Sequence, residues 1–124
     1  MADSPLIHAR AERVKTQTVT PTPSGASWQN NGSSPFEAIR IGDVVYMYGE
    51  IKRTGSTWQG DSWDYTGITL PAGLRPTKER LISNGLWTWR ISTTGRIEVI
   101  RVGAKLEMWA GRGIAFAGAA FVLV

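Results

Sequence analysis

The chain has 124 residues, which is enough for one domain with one hydrophobic core. It contains no cysteine, so a disulfide framework, a thiolate nucleophile and a cysteine-ligated zinc site are excluded. The formal net charge is +4, but the 14 Lys and Arg residues are dispersed among 10 acids, with no basic run longer than Lys52-Arg53. We therefore expect solvated strand faces and no nucleic-acid partner.

The N-terminal residues differ in character from the rest of the chain. A run of Thr and Pro residues there favours extended or polyproline geometry and does not build a core. We predict an extended N-terminal arm over residues 1–27 and a head domain over residues 28–124. The arm is either a loose terminus or a strap that adds a strand to a sheet edge of a neighbouring subunit or shell, through Val14, Gln17 and Val19.

The head domain has the pattern of an all-β fold. Glycine-containing turn signals recur between short apolar runs, and hairpin signals stand at Gly42-Asp43 and Asn84-Gly85. We predict an antiparallel β-sandwich or jelly-roll-like head. The expected strands cover residues 36–41, 44–53, 78–83, 86–92, 96–101, 105–109 and 114–124. In the second of these, both faces carry apolar bulk, so we expect a central strand covered on both sides.

The last predicted strand, 114–124, has no polar side chain. Exposure of either face in a single subunit would leave a large apolar patch. The strand is therefore buried between two sheets of one sandwich, or it is buried by a neighbouring subunit near a symmetry axis. In the second case, Phe116, Phe121 and Leu123 contact other subunits or the shell.

Few residues are suited to catalysis. His8 is the only histidine and lies in the predicted arm, which excludes a Ser-His-Asp constellation and a histidine metal centre from the head. Asp61 and Asp64, beside aromatic rings, are the remaining option for a glycosidase pair or a calcium site, whereas turn geometry is the more ordinary role of such residues. We expect no enzyme activity, no cofactor and no bound metal.

Aromatic residues are abundant, with six tryptophans in the chain. Trp87 and Trp89 are two residues apart and share one face of a strand. A long loop, 56–66, combines rings that stack on sugars with polar groups that hydrogen-bond to them, helped by Gln59 and Arg90. Alternatively, the rings cover the core or fill a subunit interface. The candidate glycan-binding residues are Trp58, Asp61, Trp63, Asp64 and Tyr65.

No segment reaches the roughly 18–20 apolar residues that a membrane-spanning helix needs. Residues 1–5 contain no basic region followed by a long apolar run. We therefore expect neither a signal peptide nor membrane insertion.

One turn is distinctive. In Leu70-Pro71-Ala72-Gly73-Leu74-Arg75-Pro76, the two prolines fix φ and Gly73 permits a positive φ, so a rigid turn is predicted. The turn follows Trp28-Gln29-Asn30-Asn31-Gly32 in the chain and precedes Thr94-Gly95. This order of motifs resembles the β-sandwich head modules of tailed-phage virion proteins, over residues 28–124. The stretch Ala115-Phe116-Ala117-Gly118-Ala119-Ala120 is similar to the C-terminus of small lambda-type capsid decoration proteins.

The resemblance implies a homotrimeric, non-catalytic virion structural protein. Receptor-binding tail heads crown a longer chain with a shaft, and this sequence begins at Met1 without heptads or a Gly-x-y repeat. We therefore expect a capsid decoration protein (a minor capsid protein) that binds the phage major capsid protein at the capsid surface. The alternative is a tail protein, a tail-tip receptor-binding head that binds a host surface glycan through the 58–65 loop. A cellular carbohydrate-binding module is a third interpretation.

Overall fold

The structure is a computed structural model in which residues 16–19, 23, 27–101 and 106–124 are described. A single 3-10 turn, Ala72–Leu74, occurs among these residues, and no helix there is long and apolar enough to cross a membrane. All strand pairs in this part of the chain are antiparallel. The described strands are β1 (Thr16–Val19), β2 (Trp28–Asn30), β3 (Glu37–Ile41), β4 (Val44–Tyr48), β5 (Glu50–Arg53), β6 (Asp64–Thr69), β7 (Arg80–Ser83), β8 (Trp87–Ile91), β9 (Arg96–Arg101), β10 (Gly113–Ala115) and β11 (Ala119–Val122).

One layer consists of two sheets that adjoin at Gly49, and we call it the bent sheet. Strands β1, β3, β4 and β11 lie in that order on one side of Gly49, and β10, β5 and β2 lie on the other. The chain passes from β4 to β5 through Gly49, whose φ of 88° favours glycine. The Phe116 amide donates to the Gly49 carbonyl at 2.9 Å, so the pairing with the C-terminal strands continues across the bend.

The second layer is a four-stranded sheet in the order β6, β9, β8, β7, and we call it the facing sheet. Side chains from both layers meet in one buried cluster. Phe116 of the bent sheet stacks on Trp89 of the facing sheet, with ring centroids 5.1 Å apart, and both are fully buried. The predicted all-β antiparallel fold is confirmed, and the arrangement is sandwich-like. The jelly-roll order, the arm and the trimer stay predictions.

The run 44–53 differs from its prediction in two ways. It is broken into β4 and β5 at Gly49, because the positive φ there ends the extended geometry. It is central in the sheet but covered on one side only: Val45, Met47 and Ile51 are fully buried, whereas Tyr48 on the other side is 44% exposed.

The C-terminal run 114–124 is also divided, into β10 and β11. Ala117 and Gly118 have φ values of 52° and 78°, and this bulge shifts the alternation of the side chains by one position. Phe116 before the bulge and Phe121 and Leu123 after it therefore all point inward, with at most 5% exposure. They belong to the core of the chain itself, and the predicted contact of these three residues with other subunits is corrected accordingly.

The boundary of the predicted arm changes as well. Residues 16–19 form β1, which pairs with β3 of the same chain from Thr16 opposite Ile41 to Val19 opposite Ala38. Val19 packs against the core and Gln17 is exposed, while Val14 lies outside the described residues. This strand therefore belongs to the sheet of its own chain, whereas the sequence left open a loose terminus or a strand added to a neighbour.

Two further elements depart from the prediction. The region assigned to a strand at 105–109 contains only an isolated bridge between Met108 and Trp58 within its described part. Conversely, β6 begins at Asp64, inside the predicted 56–66 loop. The end of that loop is therefore an edge strand of the facing sheet, which decides where its aromatic side chains point.

Candidate functional site

The aromatic segment 58–65 divides between the interior and the surface. Trp58 is 7% exposed and lies between two other tryptophans: its ring meets Trp28 edge-on and stacks with Trp87, each at 6.0 Å between centroids. Its indole N–H donates to the Ser62 carbonyl at 3.2 Å. Trp58 is therefore a core residue, and the prediction that it stacks on a glycan is corrected because its ring is covered by the chain.

Asp64 also turns inward, where it neutralises a buried cation. One carboxylate oxygen accepts the Trp28 indole N–H at 2.7 Å and an Arg53 guanidinium N–H at 2.6 Å. Arg53 is only 6% exposed, and its Nε donates to the Ser56 carbonyl. A buried charge without such a partner is strongly unfavourable, so Asp64 has a structural role. The predicted role of Asp64 in glycan binding is corrected, because its carboxylate is engaged by Trp28 and Arg53 of the same chain.

Asp61 is exposed on the loop, whereas the Asp64 carboxylate is engaged with the Arg53 guanidinium. No group of three or more His, Cys, Asp or Glu residues that could hold a metal ion is present in the described part of the chain. The two aspartates therefore differ in exposure: Asp61 is on the surface of the loop and Asp64 is held against Arg53 in a partly buried pair.

Trp63 and Tyr65 lie on the outer side of the facing sheet. Tyr65 is directly opposite Glu98 on β9, which is directly opposite Arg90 on β8. The Arg90 guanidinium lies 4.3 Å from the Trp63 ring centroid. Because β6 and β8 are separated by β9, a distance of about 10 Å, the Trp63 and Arg90 side chains must meet above β9. The ring of Trp63 is thereby held across the sheet.

A second guanidinium stacks on the same surface. Arg96 lies 3.8 Å from the centroid of the Tyr65 ring, and the Tyr65 hydroxyl is hydrogen-bonded to the Thr69 hydroxyl at 2.7 Å. Both contacts restrict the tyrosine and the arginine before any partner arrives. We call the surface formed by Trp63, Tyr65, Arg90, Arg96 and Glu98 the aromatic face.

The two arginines of the aromatic face differ in their acidic partners. Arg90 donates to Glu98 at 3.1 Å and lies 3.8 Å from Glu79. Arg96 is exposed and has no acidic partner among the described residues. Its guanidinium is fixed against a ring and is suited to donate N–H groups to carboxylates, carbonyls or hydroxyls of a partner.

The sequence interpretation missed Arg96 and also an exposed tryptophan outside the loop. Trp109 is 51% exposed, and the Arg112 guanidinium lies 4.2 Å from its ring centroid. The signal was present in the sequence as a Trp-Ala-Gly-Arg turn. Leu81, 62% exposed and opposite Arg90 on β7, extends the aromatic face towards the sheet edge.

The chain was compared with models of protein families, with curated proteins and with solved structures, and none of these comparisons found a match. The class of protein is therefore defined by the fold and its surfaces alone: an antiparallel all-β, sandwich-like module that presents an aromatic face on the outside of one sheet.

Proposed function

We propose that this chain is a non-catalytic structural protein on the surface of a bacteriophage particle, and specifically a capsid decoration protein that binds the major capsid protein. The observation that supports the proposal is the aromatic face. Trp, Tyr and Arg are the residue types that dominate the energetics of protein interfaces. Here Trp63, Tyr65, Arg90 and Arg96 stand together on an open sheet surface.

The stacking on this face favours binding to a protein surface. Arg96 is held on Tyr65, and Arg90 is held between Trp63 and Glu98. Side chains that are already ordered lose less conformational entropy when they bind. An open sheet face also fits the broad surface of a shell better than it fits a small molecule, which normally occupies a concave pocket.

Binding of this kind accounts for stabilisation of a shell without any chemistry. A protein that binds the assembled shell, and not its dissociated subunits, stabilises the assembly by mass action. The net charge of +4 adds electrostatic attraction wherever the shell surface is acidic. In this proposal the homotrimeric head displays three aromatic faces to adjacent capsomers.

A second function is favoured by one specific feature of the same face. Trp63, just before β6, and Tyr65 on β6 are two residues apart on one side of the facing sheet, and the exposed Arg96, which stacks on Tyr65, has no acidic partner among the described residues. Rings with a neighbouring hydrogen-bond donor are suited to a sugar. The alternative is therefore a tail-tip receptor-binding head that binds a host surface glycan.

The test is co-sedimentation of the purified protein with capsids that lack it. We expect the full chain to co-sediment, and Trp63→Ala and Arg96→Ala to weaken binding at least about 30-fold, as is usual for central interface residues. Trp109→Ala is the matched control, because Trp109 is an exposed tryptophan stacked with arginine but outside the aromatic face. Its binding should be unchanged.

The same variants are then tested on host cells. If the full chain does not bind capsids but binds host cells, and Trp63→Ala abolishes the binding to cells, the receptor-binding alternative replaces the decoration function. If the chain binds neither target, both functions are rejected.

A further inference from the structure

A second exposed surface lies on the opposite side of the molecule, on the outside of the bent sheet. Cross-strand pairing places Ile39, Tyr46 and Ala120 in one row and Ile41, Val44 and Val122 in the next. Their strand neighbours Ala38, Val45 and Phe121 point inward and are buried, so these two rows point outward. We call the surface formed by Ile39, Ile41, Val44, Tyr46, Tyr48, Ala120 and Val122 the apolar face.

Much of the apolar face is open to solvent. Ile41 and Val122 are each 45% exposed, and Tyr48, in the next row, is 44% exposed. Val124, which follows β11, is 68% exposed. Single exposed apolar side chains are ordinary, but a contiguous apolar patch of several residues marks a binding surface.

The apolar character is confined to one half of the bent sheet. Beyond Gly49, the outward positions of β2 and β5 carry Gln29 and Lys52, which are opposite each other, and Glu50, which is hydrogen-bonded to Asn31. The outside of the facing sheet likewise carries paired charges. Exposed apolar residues such as Leu81 occur elsewhere, but the rows of Ile39 and Ile41 form a continuous apolar surface, bordered in the row of Tyr48 by Glu37.

The chemistry of the apolar face identifies its partner. The two rows contain no charged side chain, so a charged partner surface would lose hydration there without gaining an ion pair. The matching surface is flat, uncharged and apolar, and the apolar face of another copy has these properties. The largest apolar patch on a typical monomer measures about 300–600 Å², so two such patches bury about 600–1,200 Å² in total, which reaches the lower limit for a specific interface.

A contact at the strand edge is less suitable than a contact through the face. The Arg80 side chain donates to the Val122 carbonyl at 3.1 Å and to the Val124 carbonyl at 2.9 Å. Carbonyls at the free edge of β11 are thereby occupied, which opposes the addition of a further strand. The face of the sheet remains open, and sheets pack face to face with their apolar side chains interleaved.

We propose that the apolar face is a self-association surface, through which copies of this chain pack on one another by the outside of β3, β4 and β11. This surface replaces Phe116, Phe121 and Leu123, which the sequence suggested for subunit contacts and which the core has buried. The inference depends on the bent sheet alone and does not require the aromatic face to bind a capsid or a glycan.

Sedimentation velocity of the full chain over a range of concentrations from about 1 to 100 μM tests the proposal. We expect the full chain to form an oligomer. Val122→Glu should raise its dissociation constant at least about tenfold, because an unpaired carboxylate is then buried in the contact. Leu81→Glu is the matched control: Leu81 is a more exposed strand residue on the opposite side of the molecule, and its variant should associate like the unchanged chain.

Ile41→Glu is a second variant in the same row, and it tests the same surface if Val122→Glu fails to fold. Circular dichroism confirms that each variant is folded before it is compared. A dimer that both row variants dissociate supports the proposal, because two identical faces packed on one another form a two-fold pair, and the trimer of the proposed function would then be replaced by a dimer. A full chain that is monomeric throughout, or an oligomer that Leu81→Glu alone dissociates, overturns it. Capsid co-sedimentation of a folded Val122→Glu monomer reports separately on the proposed function.

Discussion

Replacement of Gly49 by alanine is the sharpest test of how the bent sheet is built. Gly49 has a φ of 88°, and a Cβ placed on it would overlap the backbone carbonyl group of Pro35, with the Phe36 backbone close behind. The obstacle is main chain, so it does not turn aside as a flexible side chain would. The contact brings residues 35–36 close to the bend and helps to direct Phe36 into the core, where its ring lies 4.7 Å from that of Phe116.

The expected cost follows from two contributions. The left-handed conformation costs an alanine about 1–2 kcal/mol. Overpacking against neighbouring atoms adds typically about 1–3 kcal/mol. The sum, about 2–5 kcal/mol, is a large part of the total stability of about 5–15 kcal/mol that is usual for a domain. We therefore expect Gly49→Ala to disrupt the bend between β4 and β5.

Gly42→Ala is the matched control. Gly42 also has a positive φ, 61°, but a Cβ there meets nothing within 4 Å. We expect only the conformational cost, about 1–2 kcal/mol. In urea unfolding with a slope of about 1.5 kcal/mol/M, Gly49→Ala should lower the midpoint by about 1.3–3.3 M and Gly42→Ala by about 0.7–1.3 M. Equal midpoints for the two variants would refute the close approach at Pro35.

Two other substitutions separate structural residues from surface residues. Asp64→Ala should destabilise the protein by about 3–5 kcal/mol in urea unfolding, because it leaves the buried Arg53 without its carboxylate, whereas Asp43→Ala, which removes an exposed pair, should cost about 1 kcal/mol or less. Trp58→Ala should cost about 3–5 kcal/mol as a core truncation, and Trp63→Ala should cost much less while it removes partner binding. Comparable stability losses for the two members of either comparison would contradict the assignment of inner and outer residues.

Local sequence signals predicted the hairpins well. The turn at Gly42-Asp43 joins β3 to β4, and the turn at Asn84-Gly85 joins β7 to β8. In the second, the Asn84 side chain accepts the amide N–H groups of Leu86 and Trp87, which is why asparagine is favoured at that position. These features depend on neighbours in sequence, and they were therefore accessible without a structure.

Features that depend on distant contacts could not be predicted in the same way. The break at Gly49 depends on Pro35, and the bulge at Ala117-Gly118 lies against Gly49 and Met47. A bulge changes the alternation of inner and outer residues, so Phe116 and Phe121 could not both be assigned to the core from a strict period of two.

The aromatic segment was unpredictable for a related reason. Within 58–65, only the residues from Asp64 onwards follow a strand period, so the loop sequence did not show that Trp58 points inward. Its inward position depends on Trp28 and Trp87, which are far away in sequence. The outward position of Tyr65 follows from its place on β6, once the start of that strand is known.

Immunogold electron microscopy of intact phage particles tests the central claim most directly. An antibody raised against the purified chain is bound to particles and located by its gold label. The decoration function predicts label distributed over the capsid shell and absent from particles of a deletion mutant. Label confined to the tail tip, or no label on particles at all, would contradict it.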